Sequence, residues 1–251
     1  MPLTFGFFVF HRKDGDKVLF LAPSEPHPMG PVAALGFERL GTSTIPYWKH
    51  FKNPSSEEII SFIGEVKPDM VLAAPHGPKG ATSALDVLLA TDQQNGTDIL
   101  PNCLEGKTIL TGGAPMARRL IEELYDTIKV SCIINGYGNA HTTGFIRKIN
   151  REHKEGDPEF SSDMEIPRGY WIVNSISDTE APSPWSRFGI TVLGREVMPI
   201  IKYDPGDYGQ VNLIEGTIEK ICRIEWFFKD TNTGKYCVKI PSQVGTCISG
   251  V

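Results

Sequence analysis

The chain has 251 residues, of which 40% are hydrophobic and 22% charged, with a formal net charge of −5. This length allows one sizeable core, or one core with a subdomain attached. The negative charge and the absence of a Lys/Arg block argue against nucleic acid or acidic lipid as the main partner. No apolar run approaches the roughly 20 residues of a membrane span, and the first ten residues are typical of a strand rather than a signal peptide.

The cysteines indicate the compartment. Their number, five, is odd, they are scattered along the chain, and none forms a C-x-x-C pair. Neither a structural zinc site nor a disulfide framework is therefore expected, and a reducing, cytoplasmic setting fits best.

The N-terminal part predicts a hairpin and then mixed helix and strand. Residues 4–10 and 17–22 are apolar, and the turn between them, 13–16, contains Gly15, which favours a β-hairpin. The elements that follow are a helix over 30–40, a strand over 42–46, and a helix that opens near Ser55 and ends at Pro68.

Strands and helices then alternate, which predicts a parallel sheet with covering helices. The predicted strands are 70–74, 108–111 and 130–134, and the predicted helices are 82–89 and 116–124. After a polar stretch over 150–168 the pattern changes to β, with strands over 170–173, 189–193, 197–203, 218–224 and 236–240. We therefore divide the chain into an α/β core subdomain, residues 1–165, and a β-rich subdomain, residues 166–251.

A glycine pair lies between a predicted strand and a predicted helix, in Thr111-Gly112-Gly113-Ala114-Pro115. Glycine has no Cβ, so the backbone here can approach a flat ligand closely. The start of the following helix would present free N–H groups to an acceptor. The segment also fits a plain strand-to-helix turn with proline at its edge.

A second polar segment, residues 135–143, follows the strand predicted over 130–134. Both loops should open on the carboxyl edge of the sheet, where parallel α/β sheets bind ligands. Tyr137, between two glycines, could lay its ring against a base, and His141, Thr142 and Thr143 offer polar groups. The alternative is a glycine turn with a structural tyrosine.

The third segment, residues 199–207, is a β run that ends in a Pro-Gly turn. The turn is expected to aim Asp207 outward, where its carboxylate could accept both hydroxyls of a ribose. In isolation, Asp207 also fits an ordinary turn-capping role.

Taken in order, these segments resemble motifs of the adenylate-forming superfamily. Gly112-Gly113-Ala114-Pro115 resembles its GGAP-type loop, and Gly136-Tyr137-Gly138 resembles the start of its YGxTE motif. The most specific likeness is the stretch 194–203 running into Gly206-Asp207, which is similar to R-E-x-x-P-x-I-R-Y-x-x-G-D of phenylacetate–CoA ligase-like members.

The resemblance implies a fold, ligands and site residues. The fold would be an α/β core of the adenylate-forming type, with a parallel sheet, covering helices and a β-rich C-terminal subdomain. The N-terminal phosphate-loop region and the C-terminal lid domain would be missing, unless a partner chain supplies them. The ligands would be ATP or AMP and a small carboxylate or acyl compound. The implied nucleotide- and substrate-binding residues are Gly112, Gly113, Ala114, Pro115, Gly136, Tyr137, Gly138, Thr142, Asp207 and Arg223.

Two positions depart from the YGxTE pattern. Ala140 stands where the family has a phosphate-contacting threonine, and His141 stands where it has the glutamate that holds magnesium. Magnesium prefers hard oxygen ligands, so His141 is a poor substitute and no metal site is expected. Adenylation needs cations and preorganised donors around the phosphates, so unaided ATP chemistry should be slow.

His76 and His141 are the candidate acid–base residues. Each follows a predicted strand of the parallel sheet, so both could face one cavity at the carboxyl edge. The alternative for each is a loop histidine without a chemical role.

Two functional hypotheses follow. The first is a carboxylate-activating, acyl- or aryl-CoA ligase-like protein that is degenerate in its ATP chemistry. The second is an ATP-independent isomerase, cyclase or binding module in small-molecule biosynthesis that reuses the acyl pocket. The expected lack of the phosphate loop and the lid favours the second, whereas Gly206-Asp207 and Gly136-Tyr137-Gly138 favour at least residual nucleotide recognition.

Overall fold

The computed structural model of the chain defines a large mixed sheet with helices on both faces of its parallel part. It describes residues 14–21, 29–47, 53–76, 82–113, 116–138, 145–149, 160–161, 164–165, 171–176, 185–193, 199–214, 217–223, 227–229 and 236–238.

The helices are α1 (Met29–Arg39), α2 (Ser56–Val66), α3 (Leu85–Asn95), α4 (Ile99–Leu104) and α5 (Arg118–Glu122), the last continuing into a π turn over Glu123–Thr127. The strands are β1 (Lys17–Phe20), β2 (Ser43–Pro46), β3 (Met70–Ala73), β4 (Thr108–Gly112), β5 (Met116–Ala117), β6 (Cys132–Tyr137), β7 (Phe145–Ile149), β8 (Phe160–Ser161), β9 (Met164–Glu165), β10 (Trp171–Ile176), β11 (Ser186–Val192), β12 (Ile200–Tyr203), β13 (Asp207–Asn212), β14 (Thr217–Arg223), β15 (Phe227–Lys229) and β16 (Tyr236–Val238).

Within the described residues the main sheet contains 12 strands, in the order β10-β11-β13-β14-β9-β7-β6-β4-β3-β1-β2, with β12 paired to β11. The strands β2, β1, β3, β4 and β6 are parallel to their neighbours. From β7 onward the pairing is antiparallel. The change of direction lies between β6 and β7, so the parallel and antiparallel parts adjoin at the strand that carries Tyr137. The division at residue 165 stays a prediction.

Both faces of the parallel sheet are buried because alternate side chains of its strands face opposite helices. Leu19 of β1 packs in the cluster that contains α2, α3 and α5 side chains. Its neighbour Phe20 packs in the second cluster, against Phe37 of α1, with ring centroids 5.6 Å apart. A third cluster, around Trp171, Phe188 and Ile218, forms the core of the antiparallel part.

Local sequence signals explain several element boundaries. The hydroxyl of Ser55 accepts the N–H of Glu58 at 3.2 Å, and the Glu58 carboxylate accepts the N–H of Ser55 at 2.8 Å, which completes a capping box at the start of α2. The α2 helix ends at Val66, and its C-cap residue, Lys67, has the left-handed conformation and directly precedes Pro68. The helices predicted over 30–40 and after Ser55, and the strands predicted over 42–46 and 70–74, are confirmed.

Other elements differ from the prediction. Both edges of β1 are occupied by parallel neighbours, so a hairpin partner for Lys17–Phe20 is excluded; residues 4–10 lie outside the described residues. The helix predicted over 82–89 runs from Leu85 to Asn95, and α4 was not predicted. The strand predicted over 130–134 continues through Tyr137 because Gly136 and Tyr137 pair with β7.

Candidate functional site

The carboxyl ends of β3, β4 and β6 lie side by side, because each strand is parallel to the next. The β4–β6 ladder pairs Thr111 with Asn135 and Gly112 with Gly136. The glycine segment and the Gly-Tyr-Gly segment are therefore direct neighbours at one edge of the sheet. The two strand ends lie at one edge, whereas residues 114–115 and 139–144 lie outside the described residues, so the prediction that both loops open there stays a prediction.

The backbones at Gly112 and Gly136 approach closely. A Cβ added at Gly112 would lie 2.9 Å from the carbonyl oxygen of Gly136, a separation that real Cβ atoms essentially never show. The next residue, Gly113, is exposed and has φ +84°, a conformation that other residues rarely adopt. Glycine is thus required at both positions for different reasons. At Gly112 the backbone of Gly136 is too close for a side chain, and at Gly113 the backbone has a positive φ.

A buried polar pair lies just below this edge. The hydroxyl of Thr111 donates to the side-chain oxygen of Asn135 at 3.0 Å, and the two residues are 6% and 1% exposed. The side-chain nitrogen of Asn135 is buried and has no hydrogen-bond partner among the described residues. A buried donor without a partner costs about 1–3 kcal/mol, which makes Asn135 a position that needs an explanation.

The second and third motifs meet through their side chains. The Tyr137 hydroxyl donates to Oδ2 of Asp207 at 2.6 Å, although the two residues are 70 positions apart. The Tyr137 ring also packs edge-on against Phe188, at a centroid distance of 5.9 Å. Tyr137 therefore links the end of the parallel sheet to the antiparallel sheet.

Asp207 is only 4% exposed, because it is the first residue of β13 rather than the tip of a turn. The expectation that the Pro-Gly turn aims Asp207 outward is therefore wrong. The Asp204 carboxylate accepts the N–H of Gly206 at 2.8 Å and forms an ion pair with Arg187 of β11. These contacts hold the turn closed, and the chain re-enters the sheet at Asp207.

Arg223 lies opposite Asp207 in the β13–β14 ladder, as its Cα partner. Asp207 and Arg223, both predicted site residues, are thus neighbours in the sheet. The backbone of Arg223 is described, but its side chain is not. Four other predicted site residues, Ala114, Pro115, His141 and Thr142, also lie outside the described residues.

His76 follows β3, and its side chain is 5% exposed. Its Nδ1 lies 2.9 Å from Oδ2 of Asp86, in the first turn of α3. Its Nε2 accepts the backbone N–H of Ala117 at 2.9 Å. Because a backbone N–H can only donate, Nε2 must carry a lone pair, and the proton of the neutral ring lies on Nδ1. Both ring nitrogens are therefore engaged.

A cavity of about 240 Å³ adjoins His76, between α3 and α5. Its lining is mixed polar and apolar, and it comprises His76, Asp86, Ala90, Gln93, Ala117, Arg119, Leu120 and Glu123. His76 is thus accessible from this cavity as well as being adjacent to the β3 end of the sheet. His141 lies outside the described residues, so a cavity shared with His76 and the acid–base roles of both stay predictions.

Two kinds of feature are absent from the described part of the chain. No group of three or more His, Cys, Asp or Glu side chains is arranged to hold a metal ion. No helix among the same residues is long and apolar enough to cross a membrane.

Some residues of the site did not stand out in the sequence. Asp86 is an acid in the first turn of α3, a position acids often take, so nothing marked it as a partner of His76. Asn135 belongs to the second segment, but its burial and its unpartnered nitrogen depend on the β4–β6 pairing. Asp204 was visible only as a turn residue.

No protein-family model matches the chain, and no curated protein matches it. Solved structures do match it. IdnL1 has a TM-score of 0.63 at 12% identity, with 91% of this chain and 49% of IdnL1 covered. A 2-hydroxyisobutyryl-CoA ligase in the postadenylation state, in complex with R3-HIB-AMP, has a TM-score of 0.64 at 15% identity, with 94% of this chain and 48% of the ligase covered.

A third structure is O-succinylbenzoate coenzyme A synthetase, MenE, from Bacillus subtilis in complex with AMP. Its TM-score is 0.58 at 15% identity, with 90% of this chain and 45% of MenE covered. At these identities the likeness shows the fold, which is that of the adenylate-forming enzymes. The chain spans about half the length of the structures it matches.

Proposed function

We propose that this chain is a carboxylate-activating protein of the acyl-CoA ligase kind that binds the AMP part of a nucleotide or acyl-adenylate at the carboxyl edge of its parallel sheet. The observation that carries the proposal is the hydrogen bond between Tyr137 and Asp207, since it joins two motif residues from distant parts of the chain. A likeness to phenylacetate–CoA ligase-like members and a cytoplasmic, reducing setting are part of the proposal. Neither Cys103 nor Cys132 forms a disulfide within the described part of the chain, which is compatible with that setting.

The chemistry of the pair suits a nucleoside. A half-buried tyrosine ring offers a flat apolar surface to a base, and a buried carboxylate accepts hydroxyl donors. A carboxylate has about four lone-pair sites, so a single carboxylate can accept more than one hydroxyl donor. Asp207 would accept the ribose hydroxyls, and Tyr137 would orient the carboxylate and contact the base.

Gly112 and Gly113 would form the floor on which a flat ligand lies. The close approach of Gly112 to Gly136 leaves no room for a side chain there. The unpartnered nitrogen of Asn135 is a donor for which a base or acyl ligand with an acceptor atom would be a partner. These features support a flat ligand that carries hydrogen-bond acceptors, and an adenine ring has both properties.

The reaction class is proposed for this chain by analogy with the matched structures. The 2-hydroxyisobutyryl-CoA ligase was crystallised with an acyl-AMP and also with CoA, and MenE with AMP. By analogy we propose ATP or AMP, a small carboxylic acid and a thiol acceptor such as CoA as ligands. With His141 at the magnesium position of the motif, we propose that nucleotide binding depends only weakly on Mg²⁺ and that adenylation by this chain is slow.

Calorimetric titration with AMP tests the proposal. The wild type should bind AMP, and Asp207→Asn should weaken binding by about tenfold or more, as expected when a charge-assisted hydrogen bond is lost. A matched probe is AMP without its ribose hydroxyls. If Asp207 accepts those hydroxyls, removing them should weaken binding to the wild type but add little to the effect of Asp207→Asn.

Additive effects of the substitution and the ligand change would show that Asp207 does not contact the ribose. Absence of AMP, ATP and acyl-adenylate binding would refute the proposal as a whole. In that case stabilisation of the chain by a carboxylic acid alone, measured by thermal shift, would point to the ATP-independent hypothesis.

A further inference from the structure

The loop between β4 and β5 is anchored at both ends. At its start, Gly112 is held in the β4–β6 ladder opposite Gly136. Its far end leads into β5, whose last residue, Ala117, donates its N–H to the imidazole of His76. Between Gly112 and Ala117 lie Gly113, Ala114, Pro115 and Met116, and Gly112 to Pro115 are the residues that resemble a ligand-binding loop.

The His76 ring is itself oriented by a third segment. Asp86 of α3 accepts from Nδ1, which leaves the lone pair on Nε2 directed at Ala117. A carboxylate in this place both selects the tautomer and fixes the ring. Asp86, His76 and Ala117 thus form a continuous hydrogen-bonded chain from α3 to the end of the loop.

We infer that His76 is a positioning residue, which holds the end of the β4–β5 loop so that Gly112 and Gly113 present their backbone to the ligand. The inference rests on the proposed function, because it assigns His76 a role in ligand binding at that site. It replaces acid–base work at His76 with a structural one, since proton transfer through either ring nitrogen would first require one of two hydrogen bonds to break.

Two substitutions separate the two ring nitrogens. In His76→Asn, the side-chain amide takes roughly the place of Nδ1 and can donate to Asp86, but nothing accepts from Ala117. In His76→Gln, the longer side chain carries an acceptor to roughly the place of Nε2. Gln93→Ala is the matched control, since Gln93 is exposed and lines the same cavity.

Two measurements are made on each variant of the full chain: hydrogen exchange at the Ala117 amide and calorimetric affinity for AMP. We expect His76→Asn to accelerate hydrogen exchange at the Ala117 amide by roughly tenfold. We also expect it to weaken AMP binding by roughly tenfold to a hundredfold, because the backbone of Gly112 and Gly113 would no longer be held in the position that binds the ligand. His76→Gln should restore most of both, and Gln93→Ala should leave both unchanged. In the wild type, imidazole nitrogen NMR should show the proton on Nδ1.

Three results would overturn the inference. These are a wild-type ring protonated on Nε2, unchanged Ala117 exchange in His76→Asn, and AMP affinity equal in wild type and His76→Asn. If the wild type binds no nucleotide, the proposed function fails. The tautomer of the His76 ring and the hydrogen exchange of the Ala117 amide still decide whether His76 holds the loop. If His76→Asn does not fold, failure of His76→Gln to match the wild type in both measurements would count against the inference.

Discussion

The hydroxyl of Tyr137, at the end of the last parallel strand, donates to the carboxylate of Asp207, at the start of an antiparallel strand. The bond connects β6, the strand at which the two parts of the sheet adjoin, with β13 of the antiparallel part. The Tyr137 side chain and the Asp207 carboxylate, which contact each other in the fold, are also the groups proposed to contact a nucleoside.

Removing the Tyr137 hydroxyl should measurably destabilise the protein. Tyr137→Phe keeps the ring contact with Phe188 but deprives a buried carboxylate of a donor, and bonds to charged groups contribute about 1.5–3 kcal/mol. Urea unfolding of Tyr137→Phe, Asp207→Asn and the double variant measures the coupling. Losses that add up independently would show that the bond contributes nothing to stability.

A side chain at Gly112 should displace β4 from β6. Its Cβ would lie 2.9 Å from a backbone oxygen, so Gly112→Ala forces a backbone shift that should cost about 1–3 kcal/mol. We also expect weaker AMP binding, measured by calorimetry. Gly106→Ala is the control: φ is +70° there but the space is open, so strain of about 1 kcal/mol without altered AMP binding is expected. Equal AMP affinity in both variants would contradict the role of Gly112 in the site.

The capping box of α2 should contribute to stability without touching the site. Ser55→Ala removes the acceptor for the Glu58 N–H and should lower the free energy of unfolding by about 1 kcal/mol. Ser61→Ala, at an exposed position inside the same helix, should change it by no more than about 0.5 kcal/mol. Urea unfolding compares the two, and equal effects would refute the capping contribution.

Asp69 should make the protein sensitive to acid. Partial burial raises the pKa of its carboxyl, but the N–H of Lys17 and the ammonium of Lys107, each 3.0 Å away, outweigh burial and leave the pKa below its usual value of 3.8. A carboxyl with a depressed folded-state pKa stabilises the protein above the unfolded pKa, and this contribution is lost as the pH falls through the folded pKa.

The stability advantage of the wild type over Asp69→Asn should therefore be complete near neutral pH and shrink as the pH falls below about 3.8. Urea unfolding across that pH range measures it. Asp98→Asn, which removes a carboxyl at the exposed residue before α4, is the control for general charge effects. An advantage that stays constant down to the acid limit would show that Asp69 is not responsible.

Elements with local causes were predictable. The α2 helix begins and ends where Ser55, Glu58 and Pro68 indicate, because caps and breakers act through neighbouring residues. The shift of α3 and the unpredicted α4 have the opposite origin. The residues Leu85 and Leu88 of α3 and Leu100 of α4 are buried against α2 and the sheet. Packing against residues distant in the sequence therefore selected the boundaries of these two helices.

The amino-acid sequence alone determined the alternation of strands and helices, the need for glycine at a turn, and the order of the three motifs. Only the tertiary structure decided that Asp207 is buried beside Tyr137 and that His76 contacts Asp86 and Ala117. It also decided that the side-chain nitrogen of Asn135 is buried with no partner among the described residues. The physical reason is the sequence separation over which the interactions act. Helix caps and hydrophobic periodicity act over a few residues, whereas these contacts depend on which strands become neighbours in the sheet.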